Sequence, residues 1–121
     1  MSARILVVDR DPATRDLCCH QFAAAGFDVR FAVDGAEAIR LVRDWDPQLA
    51  VLDARLGDES GLDLLRHVLE VRNSLATILV SNNPGYSDDF ASWLADAFLL
   101  KRPDASELIA KAQELIAAHA A

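Results

Sequence analysis

Four short apolar runs, each closed by a residue that can do chemistry, constrain this chain more than any other feature. Ile5-Leu6-Val7-Val8 leads into Asp9, and Leu49-Ala50-Val51-Leu52 into Asp53. Thr77-Ile78-Leu79-Val80 leads into Ser81, and Phe98-Leu99-Leu100 into Lys101. The runs are continuous rather than alternating, the pattern of strands buried on both faces in a parallel sheet covered by helices. A weaker strand, Asp28 to Ala32, follows Gly26. In an open parallel sheet the carboxyl ends of the strands share one edge, and ligands bind in the crevice beside it. Two carboxylates, a hydroxyl and an ammonium are therefore expected to converge, a set suited to holding and transferring a phosphoryl group.

Helical patterns fill the gaps between the strands. The first begins with Asp11 as N-cap and Pro12 at the first helical position, and stops at Gly26. Leu17, Cys18, Phe22 and Ala25 give it an apolar stripe. The second begins at Asp34, with Glu37 three residues on as in a capping box. Ala38, Ile39, Val42 and Trp45 face inward and Pro47 closes it. The third begins near Ser60 and turns Leu62, Leu65, Val68 and Leu69 to one side. A short fourth helix is predicted over Ser87 to Leu94. The fifth has Asp104 and Glu107 as its start signal, then Leu108, Ile109, Ala112, Leu115 and Ile116. Parallel strands need crossovers of this kind, almost always right-handed. The expected fold is an α/β three-layer αβα sandwich with a five-stranded parallel sheet in flavodoxin-like order 2-1-3-4-5. At 121 residues the chain is read as a single domain over 1–121.

Composition excludes several classes. Hydrophobic residues make up 52%, too many for a disordered chain. No apolar run approaches the roughly 20 residues that span a bilayer, so no membrane association is expected. Met1-Ser2-Ala3-Arg4 leads straight into a strand, so no signal peptide is expected. The net charge of −7 argues against this domain gripping nucleic acid through its own surface; ordinary solubility accounts for the acidity. Cys18 and Cys19 are adjacent in a helical pattern, point apart, and have no second pair with which to build a zinc site. They are read as reduced packing residues of a cytoplasmic protein.

Asp53 is the candidate nucleophile, because a carboxylate can accept a phosphoryl group as an acyl phosphate. Holding a phosphate donor against an attacking anion needs cations. Mg²⁺ serves commonly, bound by one or two carboxylates and the phosphate itself. Asp9 can share the metal, Lys101 can pair with one phosphoryl oxygen, and Ser81 can donate to another. Taken alone, an Asp after a strand is usually a turn or cap residue, and a Ser or Lys there says less. The ordered set is what carries the reading.

With these residues in order, the chain resembles the receiver domains of two-component response regulators, of the chemotaxis-regulator kind, from about Arg4 to Ile116. Ile5 to Asp9 is similar to that family's first strand and acidic start. The segment Asp53-Ala54-Arg55-Leu56-Gly57-Asp58-Glu59-Ser60-Gly61 resembles the stretch around its phosphorylated aspartate. Ser81 falls at the family's Thr/Ser switch position, Phe98 at its aromatic switch position and Lys101 at its lysine. The resemblance implies phosphorylation of Asp53 by a histidine kinase or a histidine phosphotransfer protein. It implies a Mg²⁺ site formed by Asp9, Asp53 and the backbone carbonyl of Arg55. It also implies an output domain or downstream protein reached through the fourth helix, fifth strand and fifth helix. Such a domain is not an enzyme, beyond self-catalysed phosphotransfer and dephosphorylation. Phe98 has a plainer reading as a core aromatic.

The chain departs from the family pattern at several positions. Arg10, flanked by Asp9 and Asp11, stands where a direct metal ligand is normal. A fixed cation there repels Mg²⁺ and can neutralise Asp53. Arg10 is therefore expected to weaken the ion's binding and replace it in part; the plain alternative is that it swings to solvent. Gly57 replaces a usual proline, loosening the loop after Asp53. Arg102 replaces the proline after the lysine, which disfavours a cis peptide. Asn82 stands beside the phosphate in place of a small residue, and Asn83-Pro84-Gly85 alters the output face, where Trp93 also falls.

Two other functions compete. A degenerate receiver would serve as a phosphorylation-independent interaction module, with Arg10 setting the charge balance. Asp9-Arg10-Asp11 also fits the D-x-D opening of haloacid-dehalogenase-like phosphatases, with Asp9 as nucleophile. That fold's later metal acids are missing, since Ser81 and Lys101 hold the last two strand ends. Dinucleotide or flavin binding is discounted, because no glycine-rich loop follows the first strand.

Overall fold

A computed structural model describes residues 2–83 and 94–120. The chain runs β1 (Arg4–Val8), α1 (Pro12–Ala24), β2 (Asp28–Ala32), α2 (Gly35–Asp44), β3 (Leu49–Asp53), β4 (Arg55–Leu56), β5 (Glu59–Ser60), α3 (Gly61–Val71), β6 (Ala76–Ser81), β7 (Ala97–Leu100) and α4 (Ser106–Ala120). Five strands form one parallel sheet in the order β2-β1-β3-β6-β7, the flavodoxin-like order read from the sequence.

Side chains of a strand alternate between its two faces, and the core divides accordingly. Leu6, Val8, Ala50, Leu52 and Leu79 pack with Ala38, Val42, Leu65 and Val68 of α2 and α3. Ile5, Val7, Leu49, Val51, Ile78 and Val80 pack with Cys18 and Phe22 of α1 and with Leu108 and Ala112 of α4. That is why the central strands read as unbroken apolar runs: both faces are covered.

Strand β2 lies at the sheet edge, which explains its weaker pattern. Phe31 is exposed there and carries the Arg15 guanidinium 4.5 Å from its ring centroid. Arg30 lies 4.9 Å from the ring centroid of the half-buried Trp45.

The helix starts follow their caps. Asp11 accepts from Ala13 N, Asp34 from Glu37 N at 2.9 Å, and Ser60 from Asp63 N. Three details differ from the sequence reading. Ala25 lies past the end of α1 and is exposed, so it adds nothing to the apolar stripe. Helix α4 begins at Ser106, two residues after Asp104, whose carboxylate accepts from Ser106 N and Oγ. The loop after Asp53 holds the short antiparallel pair β4 and β5, which its polar, glycine-containing sequence did not signal. The predicted fourth helix, the Pro84-Gly85 turn and Trp93 lie outside the described residues, apart from Leu94, which is exposed.

Gly61 closes the loop that carries Asp53. Its N–H donates to Ala54 O at 2.9 Å. A Cβ on Gly61 would run into Asp53 O and lie 2.7 Å from Ala54 Cα. These are backbone atoms that no rotamer change relieves. Gly61→Ala is expected to destabilise the fold by about 1–3 kcal/mol, the usual cost of overpacking. Urea denaturation of the variant checks this, and an unchanged midpoint would refute it.

Candidate functional site

Alternation and register together explain how residues so distant in sequence meet. Asp9 continues the Ile5/Val7 face, Asp53 the Leu49/Val51 face and Lys101 the Ala97/Leu99 face, all on the side of α1 and α4. Backbone hydrogen bonds between strand ends hold each one in place. Asp9 N donates to Ala32 O at 3.1 Å, Ala54 N to Val80 O at 2.8 Å, and Lys101 N to Ser81 O at 2.9 Å.

At this edge Lys101 Nζ lies between the two carboxylates. It donates to Asp53 Oδ2 at 2.9 Å and sits 3.2 Å from Asp9 Oδ2. The second oxygen of each acid takes a backbone donor: Asp11 N reaches Asp9 Oδ1 at 2.9 Å, and Arg55 N reaches Asp53 Oδ1 at 3.1 Å. Asp9 and Asp53 are both buried. Burial lifts the Asp9 carboxyl above its ordinary value, with the like charge of Asp53 adding to it and the Asp11 N–H and Lys101 opposing it. Burial would lower the Lys101 ammonium, but its hydrogen bonds to and the charges of Asp53 and Asp9 outweigh that and raise it. Lys101 is thus firmly charged at neutral pH.

Ser81 is buried and belongs by alternation to the opposite face, with Leu79. Its Oγ accepts from Asn83 N at 2.9 Å, which leaves the hydroxyl hydrogen free to donate elsewhere. Asp53, Arg55, Ser81, Asn82, Asn83 and Lys101 line a cavity of about 260 Å³. Phe98 is half-buried and packs against the core on the α2 and α3 side, the same face as Ser81. A larger cavity of about 370 Å³ adjoins through Asn82 and Lys101, between α1 and the segment leading into α4. Cys18 is in its wall; burial and the nearby Asp9 charge push its thiol up to about 11, which leaves it unreactive.

The flanking residues divide. Asp11 caps α1 and is exposed; the Thr14 hydroxyl, at 2.6 Å, holds its carboxyl below the ordinary range. Arg10 is exposed, and its guanidinium lies across Gly57 in the β4–β5 turn. Among the described residues, the ion pairs of Asp53 and Asp9 are made by Lys101. Sequence reasoning missed the backbone donors from Arg55 and Asn83, and the bond from Gly35 N to Glu59 Oε2 at 2.9 Å that ties β5 to α2. None of these has a periodic signature in the sequence.

The sequence and the fold are matched among known proteins. The family profile of the response regulator receiver domain matches residues 5–113. This chain belongs to that family. Response regulator MprA of Mycobacterium ulcerans (strain Agy99) is 30% identical over 118 residues, covering 96% of this chain and 51% of MprA. Transcriptional regulatory protein TrcR of Mycobacterium tuberculosis is 32% identical over 115 residues, 93% of this chain and 45% of TrcR. The receiver domain therefore spans about half the length of these relatives. Response regulator TrrA from Thermotoga maritima, solved in complex with Mg(2+)-BeF, is 29% identical with a TM-score of 0.88, covering 93% of this chain and 98% of that one. A structure of histidine kinase ThkA in complex with TrrA matches at a TM-score of 0.86 and 29% identity, covering 93% and 97%. The chain is thus a receiver domain of a two-component response regulator, a signalling domain rather than a conventional enzyme. Neither competing reading finds support in these comparisons.

The donor set fits a divalent ion of a particular kind. Asp9 and Asp53 converge on one ammonium, and Mg²⁺ needs only one or two carboxylates when water and phosphoryl oxygens complete its shell. Among the described residues no group of three or more His, Cys, Asp or Glu is gathered for a metal. The site suits an ion completed by the phosphoryl group, not a closed protein cage.

Lys101→Met leaves two buried carboxylates without their counter-charge. At pH 7 the variant is expected to lose about 1–3 kcal/mol, the cost of buried groups left unpaired. The loss shrinks as pH falls through the carboxylate range, because Asp9, raised by its burial, takes up a proton. The wild-type contribution of Lys101 persists below its ordinary value of 10.5 and fades only above it, since the folded state raises it. Denaturant titrations from pH 4 to beyond pH 10.5 check both signs; a pH-independent difference would contradict the assignment.

Proposed function

We propose that this domain accepts a phosphoryl group on Asp53 from a histidine kinase or a histidine phosphotransfer protein, and relays that event through a change in its surface. The observation that carries this reading is Lys101 Nζ, held between Asp9 and Asp53 at the carboxyl edge of the sheet. In the transfer an Asp53 carboxylate oxygen bonds to phosphorus while the bond from phosphorus to the donor's histidine nitrogen breaks. The displaced histidine leaves and an acyl phosphate remains. Lys101, already charged, pairs with a phosphoryl oxygen, and the Ser81 hydroxyl donates to another. Asp9, Asp53 and the Arg55 carbonyl would hold Mg²⁺, which neutralises phosphoryl charge when bound. Water attack on the acyl phosphate resets the site.

Ser81 and Phe98 are the switch candidates in this reading, and their shared face supports it. A signal leaves through β7, α4 and the segment between β6 and β7. The kinase complex of the similar TrrA supports a histidine kinase as partner. The relatives' greater length supports an output domain as recipient of the signal, with a downstream protein as the alternative and residues 1–121 as one receiver domain. The charge of −7 leaves any nucleic-acid contact to that other domain. Free Cys18 and Cys19 agree with a cytoplasmic setting, and no described helix is long and apolar enough to cross a membrane.

Intact-mass spectrometry after incubation with acetyl phosphate and Mg²⁺ tests the reading. Wild type is expected to gain a phosphoryl adduct and Asp53→Asn to gain none. An adduct that survives in Asp53→Asn would transfer the acceptor role to Asp9 and revive the phosphatase-like alternative.

A further inference from the structure

We infer that Arg10, seated on Gly57 in the unphosphorylated domain, leaves that seat to pair with the incoming phosphoryl group, so that the acyl phosphate on Asp53 forms without a divalent ion. The inference rests on the phospho-accepting reading of Asp53 and adds to it the source of the balancing charge.

Arg10 lies in the short link between β1 and α1, directly after the buried Asp9 and before the Asp11 cap. Its backbone is therefore anchored on both sides while its side chain is exposed. The guanidinium is not simply loose in solvent. It lies over Gly57, four residues beyond Asp53, so closely that a Cβ there would strike Nη1 and lie 3.2 Å from Cζ and 3.3 Å from Cδ. Gly57 has φ +61, a conformation that an L side chain rarely takes. The turn after the acceptor thus provides a seat for this side chain, and a bulkier residue would remove it.

Charge gives the seat its purpose. Among the described residues, Asp9 and Asp53 share the one ammonium of Lys101 before transfer, which leaves one negative charge in excess. Transfer replaces the Asp53 carboxylate charge with a phosphoryl group of about −1.5 to −2 at neutral pH, so the excess that Lys101 leaves unbalanced grows by up to about one charge. A guanidinium is always charged and presents a planar fork that matches phosphate oxygens in pairs. Among the described residues no carboxylate ties Arg10 down, so its donors can turn from the loop to the phosphoryl oxygens. In the reaction with acetyl phosphate, the Asp53 oxygen–phosphorus bond forms, the acetyl oxygen–phosphorus bond breaks, and acetate leaves. No further reactant is needed.

The test compares wild type with Arg10→Ala, Arg10→Lys and Arg10→Asp, using intact-mass spectrometry after acetyl phosphate, in EDTA and in Mg²⁺. A separate measurement follows Mn²⁺ binding by electron paramagnetic resonance with no phosphodonor present. Wild type is expected to form the adduct in EDTA. Arg10→Ala is expected to lose it about tenfold in EDTA, as for loss of a hydrogen bond to a charged group, and to recover in Mg²⁺. Arg10→Lys keeps part of the EDTA adduct, which a merely structural role would not explain. Arg10→Asp is expected to bind Mn²⁺ about tenfold more tightly than wild type, through its added carboxylate. A wild-type adduct that needs Mg²⁺, or an Arg10→Ala adduct in EDTA equal to wild type, would overturn the inference and leave Asp53 as acceptor. No adduct in any protein even with Mg²⁺ would overturn the phospho-accepting reading itself, and this inference with it.

Discussion

One ammonium serving two buried carboxylates sets the terms for the rest of this molecule. Asp9 and Asp53 lie on adjacent strands, and both are taken out of water. Ionised acids in that setting are costly unless each oxygen finds a donor. Lys101 supplies one donor to each acid, and the N–H groups of Asp11 and Arg55 supply the others. That solution requires β1, β3 and β7 to end at one level with the right face turned inward. The parallel register, with Val8 beside Leu52 and Ser81 beside Leu100, secures the level. The period of two secures the face, since a one-residue slip would send Lys101 to the other side.

The same sheet edge presents different chemistry on its two faces. Asp9, Asp53 and Lys101 belong with the α1 and α4 layer; Ser81 and Phe98 belong with the α2 and α3 layer. Strand β6 joins them: Val80 O receives the Ala54 N–H beside the acceptor, and the next residue is Ser81. In the proposed relay, a phosphoryl group drawing on the Ser81 hydroxyl would therefore act across the sheet, on the side where Phe98 is half-buried. A two-state surface needs an element of this kind, packed loosely enough to hold two arrangements.

Much of this was legible in the sequence because it follows from burial and periodicity. Unbroken apolar runs announced strands covered on both faces, and the residues closing them marked the site. Asp11, Asp34 and Ser60 announced helix starts because a cap is a local device. What could not be read was everything that depends on two loops meeting. The β4–β5 pair is only two residues per strand, too short for a pattern. Ala25 matched the helical spacing but came after the chain had left the helix. The Glu59 bond to Gly35 N and the position of Arg10 join segments whose sequences carry no sign of each other. From sequence, Arg10 could be read as a cation beside the acids or as one turned to solvent; the structure leaves it exposed with its guanidinium on the loop that follows Asp53.

That contact links two oddities that looked independent. Residue 10 departs from the acidic residue usual in such domains, and residue 57 departs from the usual proline. Proline fixes φ near −65°, whereas residue 57 sits at +61°, so a proline could not form this turn. A side chain of any size at position 57 would also occupy the space where the Arg10 guanidinium rests. The arginine and the glycine thus fit each other sterically. Gly61 presses against the backbone of Asp53 and Ala54 at one end of the loop, and the β4–β5 ladder and the Glu59 bond to α2 brace the rest. The turn at Gly57 is thus braced on both sides, and in the proposed reaction such a loop presents the Arg10 guanidinium from a defined seat four residues beyond Asp53.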